Sequence, residues 1–104
     1  MQRTKINLLG KNWDIFVRSD RVHNKKFKKC HAIAHLNARK IHFRKSSFDI
    51  ITITHEIVHC YQWELSFYEL SLDRDQTTEW FCELFAKHGE QIIKDSHRLL
   101  SLIK

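Results

Sequence analysis

The sequence predicts an α+β domain: a small antiparallel three-stranded sheet packed on one central helix and followed by C-terminal helices. The prediction rests on where two kinds of periodicity fall. Alternating strand-like patterns are confined to the first 45 residues, whereas from about residue 48 apolar positions recur at helical spacing. The chain has 104 residues, no proline and only Gly10 and Gly89 as glycines, so nothing marks a linker and residues 1–104 read as one domain.

Within residues 12–18, Trp13, Ile15 and Val17 share one side, as in a half-buried strand. Residues 20–29, rich in lysine around Phe27, read as a basic loop. His31–Leu36 and Lys40–Arg44 flank Asn37-Ala38-Arg39, which reads as a hairpin. Ser46, Ser47 and Asp49 are helix N-cap types. The next stretch is β-branched, which favours a strand on propensity. Its spacing favours a helix over about 48–65: Ile50, Ile53, Ile57 and Tyr61 line one face, and Ile51, His55 and His59 another. Residues 66–75 are irregular. A further helix starts at Thr77-Thr78-Glu79, Gly89 is a C-cap or kink, and helical spacing resumes from Ile92 to Ile103.

Charge is divided unevenly. Residues 1–45 hold 13 Lys/Arg against two Asp, a net +11, and residues 46–104 carry a net −5. A basic half suggests an anionic partner, nucleic acid first. Lys25, Lys26, Lys28 and Lys29 around Phe27 are the candidate contacts, pairing phosphates while the ring stacks a base. No apolar run reaches the 18–20 residues of a membrane span. Cys30, Cys60 and Cys82 are odd in number and read as reduced thiols of a cytoplasmic protein, with Cys60 and Cys82 as core residues.

The residues that point to chemistry are His55-Glu56-Ile57-Val58-His59. On a helix the two imidazoles lie one turn apart on one face, where they suit Zn²⁺, and Glu56 lies beside them as a general base. A catalytic zinc takes three protein ligands. Glu79 on the following helix is the preferred third, with Asp75, Asp73, Glu83 and His88 as alternatives. Tyr61, Tyr68 and His88 are candidates to stabilise an oxyanion. His31, His35 and His42, with Cys30, form a weaker candidate for a second metal site.

A strand with a Trp, a basic segment, a hairpin and then Ile-Thr-His-Glu-Ile-Val-His-Cys-Tyr-Gln-Trp-Glu (residues 53–64) resembles the SprT-like zinc metallopeptidases. Their eukaryotic Spartan members cleave proteins crosslinked to DNA. The resemblance covers roughly residues 12–90 and is most specific over 51–64. It implies a minimal zincin-like fold, zinc on His55 and His59, Glu56 as catalytic acid/base, and a protein or peptide substrate that includes DNA-associated proteins. The chain departs from the family where a third ligand is usual. A His-Gly-x-x-aromatic segment is expected, and Gln76-Thr77-Thr78-Glu79-Trp80 stands there. The competing expectation is therefore a non-catalytic protein on a zincin scaffold that binds nucleic acid or a host factor.

Overall fold

A computed structural model describes residues 1–103. Four strands, β1 (Gln2–Leu8), β2 (Lys11–Arg18), β3 (Ala32–His35) and β4 (Lys40–Arg44), form one sheet in the order β1-β2-β4-β3. Three helices complete the chain: α1 (Asp20–Phe27), α2 (Ile50–Glu64) and α3 (Arg74–Ile103). The α+β class holds, but the sheet has four strands rather than three and is mixed rather than antiparallel.

The extra strand is β1. It alternates as a strand should, with Ile6 and Leu8 buried and Arg3, Lys5 and Asn7 exposed. Leu9 and Gly10 both take positive φ (51° and 82°), as a tight two-residue hairpin turn requires, and β2 follows antiparallel to β1.

The mixed character comes from α1, the segment expected to be a loop. Ser19 Oγ accepts from the Val22 N–H and caps the helix, with Asp20 in the first turn and Lys25 and Lys26 in the last, matching the helix dipole. His23 and Phe27, one turn apart, supply the inward face. The α1 connection leaves and re-enters the sheet at the same end but skips one position, so β3 runs antiparallel to β2 at the far edge. Strand β4 returns in the gap between them, parallel to β2 (Ile15 with Ile41, Val17 with Phe43) and in the expected antiparallel hairpin with β3.

One face of the sheet holds the core. Ile6, Leu8, Trp13, Ile15, Val17, Ile41 and Phe43 pack against Ile53, Ile57, Cys60 and Tyr61 of α2 and Leu84, Ile92 and Leu99 of α3. Burial of each large apolar side chain contributes roughly 1.5–3 kcal/mol, and that outweighs the strand propensity of residues 50–54. Asp49 caps α2 through the Thr52 N–H (2.8 Å), and Thr54 Oγ1 donates to the Ile50 carbonyl (2.7 Å). At the far end Arg39 Nε holds the nearly buried Glu64 carboxylate at 2.9 Å, fixing the hairpin to the helix.

The two expected C-terminal helices are one. Asp73 and Gln76 form a reciprocal capping pair: Asp73 Oδ1 accepts from the Gln76 N–H (2.8 Å) and Gln76 Oε1 from the Asp73 N–H (3.0 Å). From there α3 runs 30 residues straight through Gly89, without cap or break. Tyr61 Oη donates to the buried Asp95 Oδ2 (2.7 Å) and ties α2 to α3. Among the described residues no helix is long and apolar enough to cross a membrane.

Candidate metal centre

Helix α2 buries its Ile53–Ile57–Tyr61 stripe, and that choice aims His55 and His59 out of the opposite flank. Their Nε2 atoms stand 3.2 Å apart, with ring centroids at 4.8 Å and planes nearly perpendicular (78°). Two imidazole nitrogens bound tetrahedrally to one zinc at 2.0–2.1 Å lie about 3.3–3.4 Å apart. The spacing of the donor pair is therefore close to what such an ion requires. Glu56 joins the pair, and the ligand atoms of all three residues fall within 4.8 Å of one another.

The tautomer of His59 is set by its neighbours. Its Nδ1–H donates to Gln62 Oε1 at 3.0 Å, and Tyr68 Oη, 2.9 Å from the same nitrogen, donates to that same amide oxygen. The proton is thus held on Nδ1 and the Nε2 lone pair faces His55, as a metal ligand requires. Glu56 is 7% exposed, and its Oε2 lies 3.8 Å from His55 Nε2. Burial pushes its carboxyl above the ordinary range, and His59 and then His55 pull it partly back. A buried carboxylate made more basic in this way suits a proton acceptor working near neutral pH.

Two depressions open on the pair. A cleft of about 340 Å³ separates it from the edge strand β3, lined by Ala32, Ile33, Ala34, Leu36 and Tyr68 with His55, Glu56 and His59. On the other side a groove of about 680 Å³ runs between α2 and α3, with Phe81, Phe85, Ile93 and His97 facing Ile51, Val58 and the two histidines. His97, to which the sequence reading gave no role, has a helical signal: it lies four residues beyond Ile93 and shares this wall.

The other ligand candidates do not join the cluster, which among the described residues consists of His55, Glu56 and His59 alone. Apolar Phe81 and Leu84 fix the inward face of α3 and leave Glu79 exposed on the other side, with Cys82 and Glu83. Glu83 pairs instead with Lys87 (3.2 Å), and Asp73 and Gln76 are committed to capping. Asp75 is exposed, and the half-buried His88 ring packs on Tyr61 at 5.7 Å. Tyr61 is fully buried with its hydroxyl on Asp95, so it cannot reach an oxyanion at the histidine pair; Tyr68 stays beside it.

Cysteine and lysine readings change as well. Cys60 is buried and its thiol is pushed well up by burial, but Cys82 is exposed on α3 rather than in the core. Lys25, Lys26, Lys28 and Lys29 are all exposed. Lys25 and Lys26 lie in the last turn of α1 rather than in a loop, and Lys28 and Lys29 form the left-handed turn that follows it (φ 55° at both). Phe27 is half-buried and turned onto His42 (4.7 Å), away from Lys25, Lys28 and Lys29, rather than projecting from the middle of the lysines. His31 Nδ1 lies 2.8 Å from Arg44 Nη2 and from Ser47 Oγ, and His42 Nδ1 accepts from Arg18 at 2.6 Å. Guanidinium groups occupy the nitrogens a second metal would need.

The chain matches no family model, no curated protein and no solved structure.

Proposed function

We propose that the chain is a zinc-dependent peptidase whose metal is held by His55 and His59. The observation that carries the reading is the 3.2 Å separation of their Nε2 atoms beside the buried Glu56, with His59 Nδ1 already engaged. Zinc held there supplies a Lewis acid and lowers the pKa of water toward about 7. Glu56 takes the proton of the attacking water and returns it to the leaving amine. Gln62 and Tyr68 keep His59 in its ligand tautomer. The edge strand β3 offers unpaired main-chain groups along one wall of the cleft, so an extended peptide laid beside Ala32–Ala34 would pass its carbonyls in front of His55 and Glu56. The resemblance of residues 53–64 to the SprT-like enzymes supports protein substrates, and the basic first half supports substrates held on DNA.

The test is metal content together with cleavage of a disordered protein. The wild type binds about one zinc, and Glu56→Gln keeps the zinc while losing roughly 10²–10⁴ in rate. Undiminished cleavage by Glu56→Gln would overturn the catalytic reading. One observation favours a second reading, a non-catalytic binding protein on the same scaffold: among the described residues no carboxylate or imidazole other than Glu56 joins His55 and His59. Zinc far below one per chain after reconstitution would select it.

A further inference from the structure

We infer that the sheet face turned away from the histidine pair on α2 carries a nucleotide-binding site, in the cavity bounded by Arg3, Arg18, Lys26 and Lys40. The site is independent of the zinc reading, and of the lysine cluster at the end of α1 it takes only Lys26.

Strand register builds it. Arg3 on β1 stands opposite Phe16 on β2, and Phe16 opposite His42 on β4. One row across the sheet therefore runs cation, ring, ring. The adjoining row places Lys40 beside His35. Helix α1 closes the side, with Phe27 packed on His42 and Lys26 at the rim. The resulting open cavity of about 420 Å³ is lined by Arg3, Arg18, Lys26 and Lys40 and by Phe16, Phe27, His35 and His42. That volume lies in the range of small-molecule sites.

Most of the positive charge is not compensated. Asp14 is the only acid in the four strands, and it is shared at 3.9 Å by Arg3 and Lys5. Among the described residues Arg18, Lys26 and Lys40 have no carboxylate partner within 4 Å. The guanidinium carbons of Arg3 and Arg18 both sit 5.0 Å from the centre of the Phe16 ring, and Arg18 also donates to His42. Both guanidinium groups are thus held beside the ring before any ligand arrives, with N–H groups left over as donors for phosphate oxygens. Phe27 and His35, edge to face at 6.0 Å, give the cavity rings against which a planar base packs. Cations alone would suit any polyanion; cations beside aromatic walls in an open cavity select phosphate joined to a base. A free nucleotide and one unit of a single strand both present that chemistry.

Fluorescence anisotropy of a labelled oligothymidylate of about a dozen residues, with AMP as competitor, tests the site. The expected result is binding that Arg3→Ala with Lys40→Ala weakens about tenfold or more, with a shallower salt dependence. Replacing Lys25, Lys28 and Lys29 by alanine, all outside the cavity, should change it less than about threefold. Displacement by AMP assigns the cavity to nucleotides from either source, and binding of the strand without displacement assigns it to a strand. AMP binding alone, read by shifts of the His35 and His42 imidazole resonances, assigns it to free nucleotide. That readout uses the wild type and does not depend on a variant folding. The inference is overturned if neither probe binds and the imidazole resonances do not move. It is also overturned if the triple lysine variant loses as much affinity as the cavity pair, because the charge would then act diffusely.

Discussion

Two pairs of histidines, one on each side of the sheet, make an internal comparison. His55 and His59 hold their ring centroids 4.8 Å apart, His35 and His42 5.1 Å apart. The spacing is nearly the same and the surroundings are opposite. The first pair stands beside Glu56, with an amide oxygen and a phenol behind it. The second stands among Arg3, Arg18, Lys26 and Lys40, with Arg18 donating to a ring nitrogen. A carboxylate and an acceptor that fixes the tautomer leave a lone pair for a cation. Guanidinium groups consume the lone pair and leave donors for an anion. Imidazoles alone do not make a metal site; the sign of the neighbouring charge decides which ion they serve.

The largest effect expected from breaking this contrast is on metal binding. Replacing His55 and His59 together by alanine should abolish zinc uptake in a competitive chelator titration, and His35→Ala should leave it unchanged. Equal losses from both would erase the distinction.

Next is acid sensitivity. His42 is held down to about 4, first by burial and then by Arg18, His35, Lys26 and His23. As pH falls through about 6.5 the unfolded chain takes up a proton that folded His42 refuses, so stability declines until about pH 4, where the folded form protonates too. The full loss is on the order of 3 kcal/mol. Buried His23, also lowered chiefly by burial, adds to it in the same direction. Urea denaturation between pH 7 and 4 should show the decline, and His42→Gln should flatten it.

A smaller effect probes the shell behind His59. Gln62→Ala frees the tautomer and should weaken zinc about 10–100-fold, or about 1.4–2.7 kcal/mol, by the same titration. The smallest leaves both pairs untouched. A methyl group at Gly89 would meet Phe85 at 3.6 Å, an ordinary contact, so Gly89→Ala should raise thermal stability by roughly 0.5–1 kcal/mol without altering either pair.

Much of the metal side was legible in local pattern. Asp49 as cap and the Ile53–Ile57–Tyr61 stripe are enough to set α2 and therefore the directions of His55 and His59. The sheet was legible only as far as its signals were local: the β3–β4 hairpin reads from Asn37-Ala38-Arg39, whereas the parallel pairing of β4 with β2 depends on α1. The signals for α1 were present in Ser19, Asp20 and the His23–Phe27 spacing, but lysine density masked them. Arg3 and Lys5 masked β1 in the same way. At the start of α3, Asp73-x-x-Gln76 is a capping pair, and reading Gln76 as a substituted ligand hid that simpler role. Glu79 is not brought to the histidine pair for a physical reason: the apolar face of a helix fixes where every other residue points, and Phe81 with Leu84 turn Glu79 outward. The cavity bounded by Arg3 and Lys40 had no sequence signature, since strand register brings residues 3, 16 and 40 together and the packing of α1 adds residue 26.

The end of α3 closes against β1. Arg98 donates to the Asn7 carbonyl and Gln2 to that of Ile103, both at 3.1 Å, and Leu99 is fully buried in the core that Ile6 and Leu8 share. Residues separated by nearly the whole sequence therefore belong to one cooperative opening unit. Amide protons of β1 and of the last two turns of α3 should exchange with solvent at a common rate, and a cavity cut at Leu99 should speed exchange in the first eight residues as much as in the helix itself.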